Sequence, residues 1–296
     1  MILASIDIGS NAIRLQVVNA HENYGDKDYK RVEYIRFPLR LGQDVFKVGK
    51  ITRATEEKFV KLMKAFTTLM DIYEVDDYMA CATSAMREAE NGKQIIKRIY
   101  YQHGLKIDII DGSLEAEIIN MSLKPYLPDG NALHIDVGGG STELNIYHNR
   151  EKIAGKSFKI GSVRSGNLTE EERAEKFSSM EMWVHAQDID LKGNFKAIGT
   201  GGNINKLFSM SPQSQNVDKT TTITNIQELQ EYIGEFTYEE RIKELQLNKD
   251  RADVIIPASE IYINCMEMVN AKDIIVPGVG MKDGILKYMK AKMEGY

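Results

Sequence analysis

A short internal repeat is the feature that most constrains how this chain can fold. Residues 5–18 (SIDIGSNAIRLQVV) align without a gap with residues 134–147 (HIDVGGGSTELNIY), and both contain Ile-Asp-x-Gly at the same place. Each copy has the same order of features: an apolar strand that ends in aspartate, a glycine-containing turn and a second strand. A repeat of this kind indicates a duplicated fold, in which each half of the chain is one copy.

Hydrophobic spacing predicts that strands alternate with helices in both halves. Apolar residues recur on one side of residues 52–73, which predicts an amphipathic helix with Thr52 or Thr55 as its N-cap. This alternation defines an α/β fold with two similar domains. The predicted strands are 2–8, 12–19, 32–41, 78–83, 106–110, 132–137, 142–148, 151–160, 196–199 and 273–276, and the further helices are 91–102, 169–187, 203–209, 225–236, 250–270 and 282–293, with two more beginning near 113 and 237.

Composition indicates a globular protein and argues against a general nucleic-acid binder. With 296 residues, 43% of them hydrophobic and 27% charged, the chain is globular and long enough for two domains. Its 38 Lys and Arg against 43 Asp and Glu give a net charge of −5. Since general nucleic-acid binders carry a basic excess, no nucleic-acid partner is expected.

The expected location is the cytoplasm. Cys81 and Cys265 are too few for a disulfide framework and lack metal-binding spacing, which indicates a reducing compartment. The first residues, MILASIDIGSN, lack the basic start of a signal peptide, and no run approaches the roughly 18 apolar residues of a membrane helix. No interaction with a membrane is therefore expected.

The two Asp–Gly turns place chemistry at the ends of apolar strands. A glycine directly after the strand lets the backbone turn tightly and approach a ligand, and successive N–H groups there form an anion-binding nest. In the second turn, Gly138, Gly139 and Gly140 remove every Cβ that would obstruct a phosphate. A plain hairpin turn is the alternative for either copy taken singly, whereas two copies in register favour a binding function.

Two further glycine clusters join strands to helices. Gly201, Gly202 and Asn203 follow the strand 196–199 and precede a helix, where a helix N-terminus can accept a phosphate. The cluster is not a Walker loop, because no Gly-Lys-Ser/Thr ends it. A fourth cluster, at 277–284, has the same position between strand and helix. Taken singly, each is as consistent with a structural role as with a functional one.

Carboxylates at strand ends beside glycine turns suit a phosphate chain bound with magnesium. A hard cation takes carboxylate and water oxygens, while the backbone amides take phosphoryl oxygens. The arrangement resembles the actin, Hsp70 and sugar-kinase superfamily. That resemblance implies two similar actin-like (ribonuclease H-like) α/β domains, with the active site in a central interdomain cleft.

Longer motifs narrow the resemblance to one family. Residues 7–14 (DIGSNAIR) resemble the DxGSNSxR opening of the exopolyphosphatase/guanosine pentaphosphatase (Ppx/GppA) family. The chain is expected to be a short form without the helical HD-type C-terminal region that many members carry. The further motifs, in family order, are 82–92 (ATSAMREAENG), 136–143 (DVGGGSTE), 161–164 (GSVR) and 251–258 (RADVIIPA).

The resemblance implies a reaction and its residues. The segment DGSLEAEII aligns with the catalytic segment of the family, which makes Glu115 the expected base that activates water. Asp136 and Glu143 are the expected ligands of Mg²⁺ or another divalent cation, with Asp7 acting through a metal-bound water. The alternative for Glu115 is a glutamate that only stabilises the first turn of a helix capped by Ser113.

Arg14 and Arg87 are the expected phosphate clamps, because a guanidinium pairs bidentately with phosphoryl oxygens. For Arg87 the alternative is a surface ion pair with Glu88 or Glu90. The other expected substrate-binding residues are Ser10, Asn11, Gly138, Gly139, Gly140, Ser141, Gly201, Gly202 and Asn203.

The resemblance also implies domain boundaries and a substrate. Domain I is expected at 1–119, with 281–296 returning to it, and domain II at 120–280. Inorganic polyphosphate is the expected substrate, and guanosine pentaphosphate or another nucleotide polyphosphate is the second choice. A sugar or carboxylate kinase and a non-catalytic sensor of ppGpp or polyphosphate remain as alternatives. The Met- and Tyr-rich segment 258–270 is predicted to be core, with a homodimer contact as its alternative.

Overall fold

Residues 1–20, 29–187 and 194–295 are described by a computed structural model. They form two units, Met1–Ser122 with Gly280–Tyr296 and Leu123–Val279, which are called the first and the second unit below. Each unit is built on one mixed sheet. Within the described residues, no helix is both long enough and apolar enough to cross a bilayer.

The first unit has a five-stranded sheet in the order β3-β2-β1-β4-β5. Strands β1, β2 and β3 are antiparallel neighbours, whereas β1, β4 and β5 are parallel. Its strands are β1 (Ile2–Ile8), β2 (Ile13–Asn19), β3 (Lys30–Phe37), β4 (Asp77–Ala82) and β5 (Asp108–Ile109), and its helices are α1 (Leu41–Val48), α2 (Arg53–Ile72), α3 (Ser84–Glu88), α4 (Gly92–His103) and α5 (Gly112–Leu123).

The second unit has a six-stranded sheet in the order β10-β11-β9-β6-β7-β8. Its strands are β6 (Asn131–Val137), β7 (Thr142–His148), β8 (Glu151–Phe158), β9 (Lys196–Thr200), β10 (Thr220–Thr222) and β11 (Asp273–Ile275), and its helices are α6 (Glu170–His185), α7 (Gly202–Met210), α8 (Ile223–Gly234), α9 (Tyr238–Lys243), α10 (Lys249–Ala252) and α11 (Ile255–Met268). The last helix, α12 (Met281–Met293), belongs to the first unit.

The two sheets repeat one topology, which confirms the predicted pair of similar α/β domains. The order β8-β7-β6-β9-β11 matches β3-β2-β1-β4-β5 strand for strand, including the directions, and β10 extends the second sheet. The aligned aspartates also have equivalent partners, since Asp7 pairs across the strands with Arg14, and Asp136 with Glu143. The internal repeat is therefore a repeat of structure as well as of sequence.

Side-chain periodicity explains the longer helices. In α2 the buried residues are Phe59, Met63, Phe66 and Met70, at the spacing that keeps one face of a helix on the core. Its N-cap is Thr52, whose hydroxyl accepts from the Thr55 N–H. Helix α11 has its Met and Tyr side chains in the core of the second unit, as predicted for that segment; the buried residues there include Ala258, Ile261, Tyr262, Cys265 and Met266.

Some predicted elements were wrong. The helix expected over 250–270 is broken between α10 and α11, because Pro257 lacks an N–H and its ring excludes a preceding helical turn. Strand β3 ends at Phe37 rather than 41, since Leu41 begins α1. The short elements α1, α3 and β10 were missed. Such short elements are stabilised mainly by tertiary packing, so they leave little periodic signal in the sequence.

Helix α12 contacts α5 through Gly284. A Cβ at this glycine would overlap the carbonyl oxygen of Ile118 in α5. Close approach of the two backbones therefore requires glycine here. The contact fixes α5, the helix that carries Glu115, within the first unit.

We expect Gly284→Ala to lower the free energy of unfolding by about 1–3 kcal/mol, because the added methyl group has no space between the helices. Gly234→Ala is the matched control: Gly234 is the last residue of α8 and has nothing within 4 Å of an added Cβ. Its effect should stay below about 1 kcal/mol. Urea unfolding curves would measure both, and equal effects would contradict the close contact.

Candidate active site

The two glycine turns have the same local geometry. The Gly9 N–H donates to the Ala12 carbonyl at 3.2 Å, and the Gly138 N–H donates to the Ser141 carbonyl at 2.9 Å. A Cβ on either glycine would lie 3.1 Å from that carbonyl oxygen. Glycine therefore fits both positions better than a residue with a side chain.

In the second turn, the carbonyl groups are held by the segment that follows β8. Residues 162–164 donate hydrogen bonds of 2.6–3.2 Å to the carbonyls of Gly138, Gly139 and Gly140. A trans peptide places its N–H opposite its C=O. The N–H groups of Gly139 and Gly140 therefore point away from residues 162–164, as an anion-binding nest requires.

This support explains the Gly-Ser-Val-Arg motif. A Cβ on Gly161 would lie 2.7 Å from the carbonyl carbon of Gly139, so the segment passes directly against the turn. Arg164 donates through its backbone N–H to Gly139 and through Nε to Gly140, the latter at 2.6 Å. The structure thus shows Arg164 supporting the turn, a role that the sequence did not suggest.

The first turn is held in an equivalent way. The Arg40 N–H donates to the Asn11 carbonyl at 3.0 Å, and the Gly42 N–H donates to the Ser10 carbonyl at 2.7 Å. The Ser10 side chain is buried, and its Oγ lies 2.8 Å from Ser84 Oγ at the start of α3. The Ser10 hydroxyl therefore joins the turn to α3, while its backbone forms part of the turn.

The structure brings Asp7 and Arg14 together. Arg14 Nη1 donates to Asp7 Oδ2 at 2.6 Å across the β1–β2 pair. Burial opposes the charged form of Arg14, but the charges and hydrogen bonds of Asp7 and Tyr34 outweigh this, and the pKa of the guanidinium is raised. The predicted metal-site carboxylate and the predicted phosphate clamp are thus partners in an ion pair.

The second unit has two carboxylates at the equivalent places. Asp136 and Glu143 are cross-strand partners in β6 and β7, so their Cβ atoms are neighbours on one face of the sheet, about 4.5–5.5 Å apart. Glu143 is buried, and its Oε1 accepts from Ser141 Oγ at 2.7 Å and from Ser157 Oγ at 2.8 Å. The Ser141 side chain therefore orients Glu143.

These donors fit a magnesium ion. Mg²⁺ is held by one or two carboxylates and completes its octahedron with water and phosphate oxygens. Within residues 1–20, 29–187 and 194–295, no three His, Cys, Asp or Glu side chains form a metal-binding group. A cation held by Asp136 and Glu143 would accordingly need oxygens from solvent or substrate.

The third glycine cluster lies beside Asp136. Gly201 has φ +121°, and a Cβ there would lie 2.9 Å from the Val137 carbonyl and 3.6 Å from Asp136 Oδ1. The backbone before α7 can therefore approach the end of β6 because residue 201 is glycine. Arg251 donates to the Gly202 carbonyl at the start of α7. Asn203 is buried in the first turn of this helix.

Asp136 ends a buried chain of hydrogen bonds. Thr200 Oγ1 donates to Asp136 Oδ1 at 2.7 Å, His134 Nε2 lies 2.9 Å from Thr200 Oγ1, and Asn145 Nδ2 lies 3.1 Å from His134 Nδ1. Because Thr200 has one hydroxyl proton, His134 must donate through Nε2 and accept at Nδ1. Burial lowers the pKa of His134 to about 3, and Lys152 acts in the same direction.

Glu115 lies in the first turn of α5, but Asp111 caps this helix instead of the predicted Ser113. Asp111 Oδ1 accepts from the N–H groups of Ser113 and Leu114 and from Ser113 Oγ, at 2.6–3.0 Å. These hydrogen bonds, that of the Ser113 side chain first, lower the pKa of Asp111. An ionised carboxylate is a stronger acceptor for the first N–H groups of a helix than a hydroxyl.

Arg87 forms an ion pair with Glu115. Its Nη1 lies 3.6 Å from Glu115 Oε2 and donates to the Ile110 carbonyl at 2.6 Å. The Glu115 side chain is 11% exposed, so it is largely buried. Arg87 thus connects the end of β5 to the expected catalytic base.

The sequence did not point to several of these residues. Thr200 and His134 act on Asp136 from β9 and β6, Ser157 acts on Glu143 from β8, and Asp111 caps α5. Of these, Asp111 had a local signal, namely an aspartate immediately before a predicted helix. The others become neighbours only through strand pairing.

The fold and the repeated Asp–Gly turns define an actin-like protein of two ribonuclease H-like halves. The Ppx/GppA phosphatase family matches residues 17–293, and the chain belongs to this family. A crystal structure of the Aquifex aeolicus member of the family is similar, with a TM-score of 0.78, 25% identity, and coverage of 100% of this chain and 99% of that one.

Two relatives are similar over nearly the whole chain. Exopolyphosphatase 1 of Mycobacterium tuberculosis strain H37Rv is 22% identical over 316 residues, which cover 100% of this chain and 90% of that protein. The guanosine-5'-triphosphate,3'-diphosphate pyrophosphatase of Aeromonas salmonicida is 24% identical, with coverage of 96% and 58%. The predicted family, fold class and enzyme class are thereby confirmed, and the protein is a phosphoanhydride hydrolase.

We expect the free energy of unfolding to decrease as the pH is lowered, and part of this decrease to come from His134. Its pKa is lower in the folded protein than the ordinary value of about 6.5, so the unfolded chain binds the extra proton first as the pH falls. Between pH 7 and pH 5 this removes about 2 kcal/mol of stability. Urea unfolding in a chelator would show the gap between the wild type and His134→Gln narrowing by that amount.

A gap of equal size at the two pH values would contradict this expectation. The carboxylates are common to both proteins, so their titration cancels in the difference. Should His134→Gln fail to fold, the imidazole resonances of the wild type give the same test. Those of His134 should not titrate between pH 8 and pH 5.

Proposed function

We propose that this protein is an exopolyphosphatase that releases orthophosphate from the end of inorganic polyphosphate. The observation that carries the proposal is the acid pair Asp136 and Glu143 beside the outward N–H groups of Gly139 and Gly140. A phosphate chain with a divalent cation needs both kinds of group. Support for polyphosphate comes from the relative named exopolyphosphatase 1, since 90% of its length is matched.

In the proposed reaction, water attacks the terminal phosphorus and the phosphoanhydride P–O bond breaks. Glu115 accepts a proton from the attacking water, and Arg87 holds the Glu115 carboxylate in place. Asp136 and Glu143 would hold Mg²⁺, which would neutralise charge on the leaving phosphate. The products are orthophosphate and a chain shorter by one phosphate.

Backbone groups supply most of the proposed substrate contacts. The turn containing Ser10 and Asn11 presents N–H groups to phosphoryl oxygens, and the turn Gly138 to Ser141 does so through Gly139 and Gly140. The start of α7 at Gly201, Gly202 and Asn203 does the same. Arg14 contributes positive charge while it balances Asp7. Asp7 is proposed to contribute to the cation site through a metal-bound water.

Glu115→Gln should lower kcat for phosphate release from polyphosphate by about 10²–10⁴-fold, because the amide has the same shape but cannot take the proton. Binding of polyphosphate, measured by calorimetry, should change only a few-fold. Glu117→Gln is the matched control, since Glu117 lies on the same helix with its side chain exposed. Undiminished phosphate release by Glu115→Gln would contradict its role as the base.

A substrate panel separates the proposed function from its alternatives. We expect Mg²⁺-dependent phosphate release with the highest kcat/KM on polyphosphate, compared with guanosine pentaphosphate, ATP and ADP. A higher kcat/KM on guanosine pentaphosphate would move the assignment to that substrate, which the Aeromonas salmonicida relative is named for. Binding without any release would indicate a sensor.

A further inference from the structure

We propose that Thr200 and His134 are positioning residues, which hold Asp136 in the orientation that binds the divalent cation. The inference rests on the proposed function, which places the cation on Asp136. Neither residue is expected to touch the substrate or the cation. Both act through the chain of hydrogen bonds that runs from Asn145 to Asp136.

Thr200 is rigidly placed to fix one oxygen of Asp136. The two residues are direct partners in the parallel β6–β9 pair, and Thr200 is fully buried. A β-branched side chain in a strand has restricted χ1 freedom, so the direction of its hydroxyl is set by the backbone. The hydrogen bond from Thr200 Oγ1 to Asp136 Oδ1 therefore fixes the rotation of the carboxylate, including the direction of Oδ2.

His134 determines where the Thr200 proton points. By donating from Nε2, it occupies the acceptor side of the hydroxyl and leaves Asp136 as the acceptor of its proton. Asn145 fixes the tautomer by donating to Nδ1. Every donor in the chain thus points toward the carboxylate, and such chains strengthen each member.

Comparison with the first unit argues that this network serves Asp136 rather than the fold. The residues aligned with His134 and Asn145 are Ser5 and Gln16. Gln16 Nε2 donates to Asp283 of α12, a different direction from that of Asn145. The same sheet topology is therefore built without a histidine chain, and in that unit Asp7 is held by Arg14 instead.

The acid pair gives the network a physical purpose. Asp136 faces Glu143 across the strands, and two adjacent carboxylates repel each other. Without the fixed hydroxyl of Thr200, the Asp136 carboxylate would rotate away from Glu143. The two carboxylates would then no longer bind the same cation. Hydrogen bonds to the back of ligating side chains typically change metal affinity by about 10–100-fold.

The test compares Thr200→Val, which removes the hydroxyl at nearly constant shape, with Thr200→Ser, which keeps it. The probe is Mn²⁺ alone, titrated by electron paramagnetic resonance without substrate. We expect Thr200→Val to weaken Mn²⁺ binding by about 10–100-fold and Thr200→Ser to stay within about 3-fold. His134→Gln is a second variant, expected to weaken binding in the same direction should Thr200→Val not fold.

Thr221→Val is the matched control, because Thr221 is a buried threonine of the same sheet whose hydroxyl donates to Gln213 at 3.2 Å. Its Mn²⁺ affinity should equal that of the wild type. If Asp136→Asn abolishes binding while Thr200→Val leaves it unchanged, the positioning role is overturned and the proposed function stands. If Asp136→Asn leaves binding unchanged, or if the wild type does not bind Mn²⁺, the cation site itself is overturned.

Discussion

The hydrogen bonds that hold the carbonyl groups of the two glycine turns are the constraint on which the candidate site depends. In each unit, the segment after the third strand of the repeat makes them: residues 40–42 bind the first turn and residues 162–164 the second. Each bond contributes only about 1 kcal/mol to stability. Their larger effect is geometric, because a trans peptide with a fixed carbonyl has a fixed N–H on the opposite side.

One substitution between the two copies separates their chemistry. Arg14 and Glu143 occupy the same place in the repeat, each opposite an aspartate. In the first unit the opposite charges form an ion pair. In the second unit two carboxylates face each other, and adjacent like charges repel unless a cation compensates them. The same turn occurs in both units, and this difference in charge is why we propose the cation site for the second copy only.

Arginines serve the loops of both units by donating to backbone carbonyls. Arg87 donates to Ile110, Arg164 to Gly140 and Arg251 to Gly202. A carbonyl oxygen is the negative end of the peptide dipole and opposes an approaching polyanion. A guanidinium on that oxygen offsets the dipole and fixes the loop in one conformation. Positive charge near the proposed phosphate site therefore need not contact the phosphate to assist its binding.

The sequence predicted those parts of the molecule that depend on local spacing. The duplicated fold follows from the Asp–Gly repeat, and the amphipathic helix α2 follows from the periodic spacing of its apolar residues. Even the Asp7–Arg14 pair was within reach, because a hairpin closed between residues 9 and 12 places residues 7 and 14 opposite each other. The contact of Thr200 with Asp136 was not, since the register of β9 beside β6 depends on how the long connection between them folds.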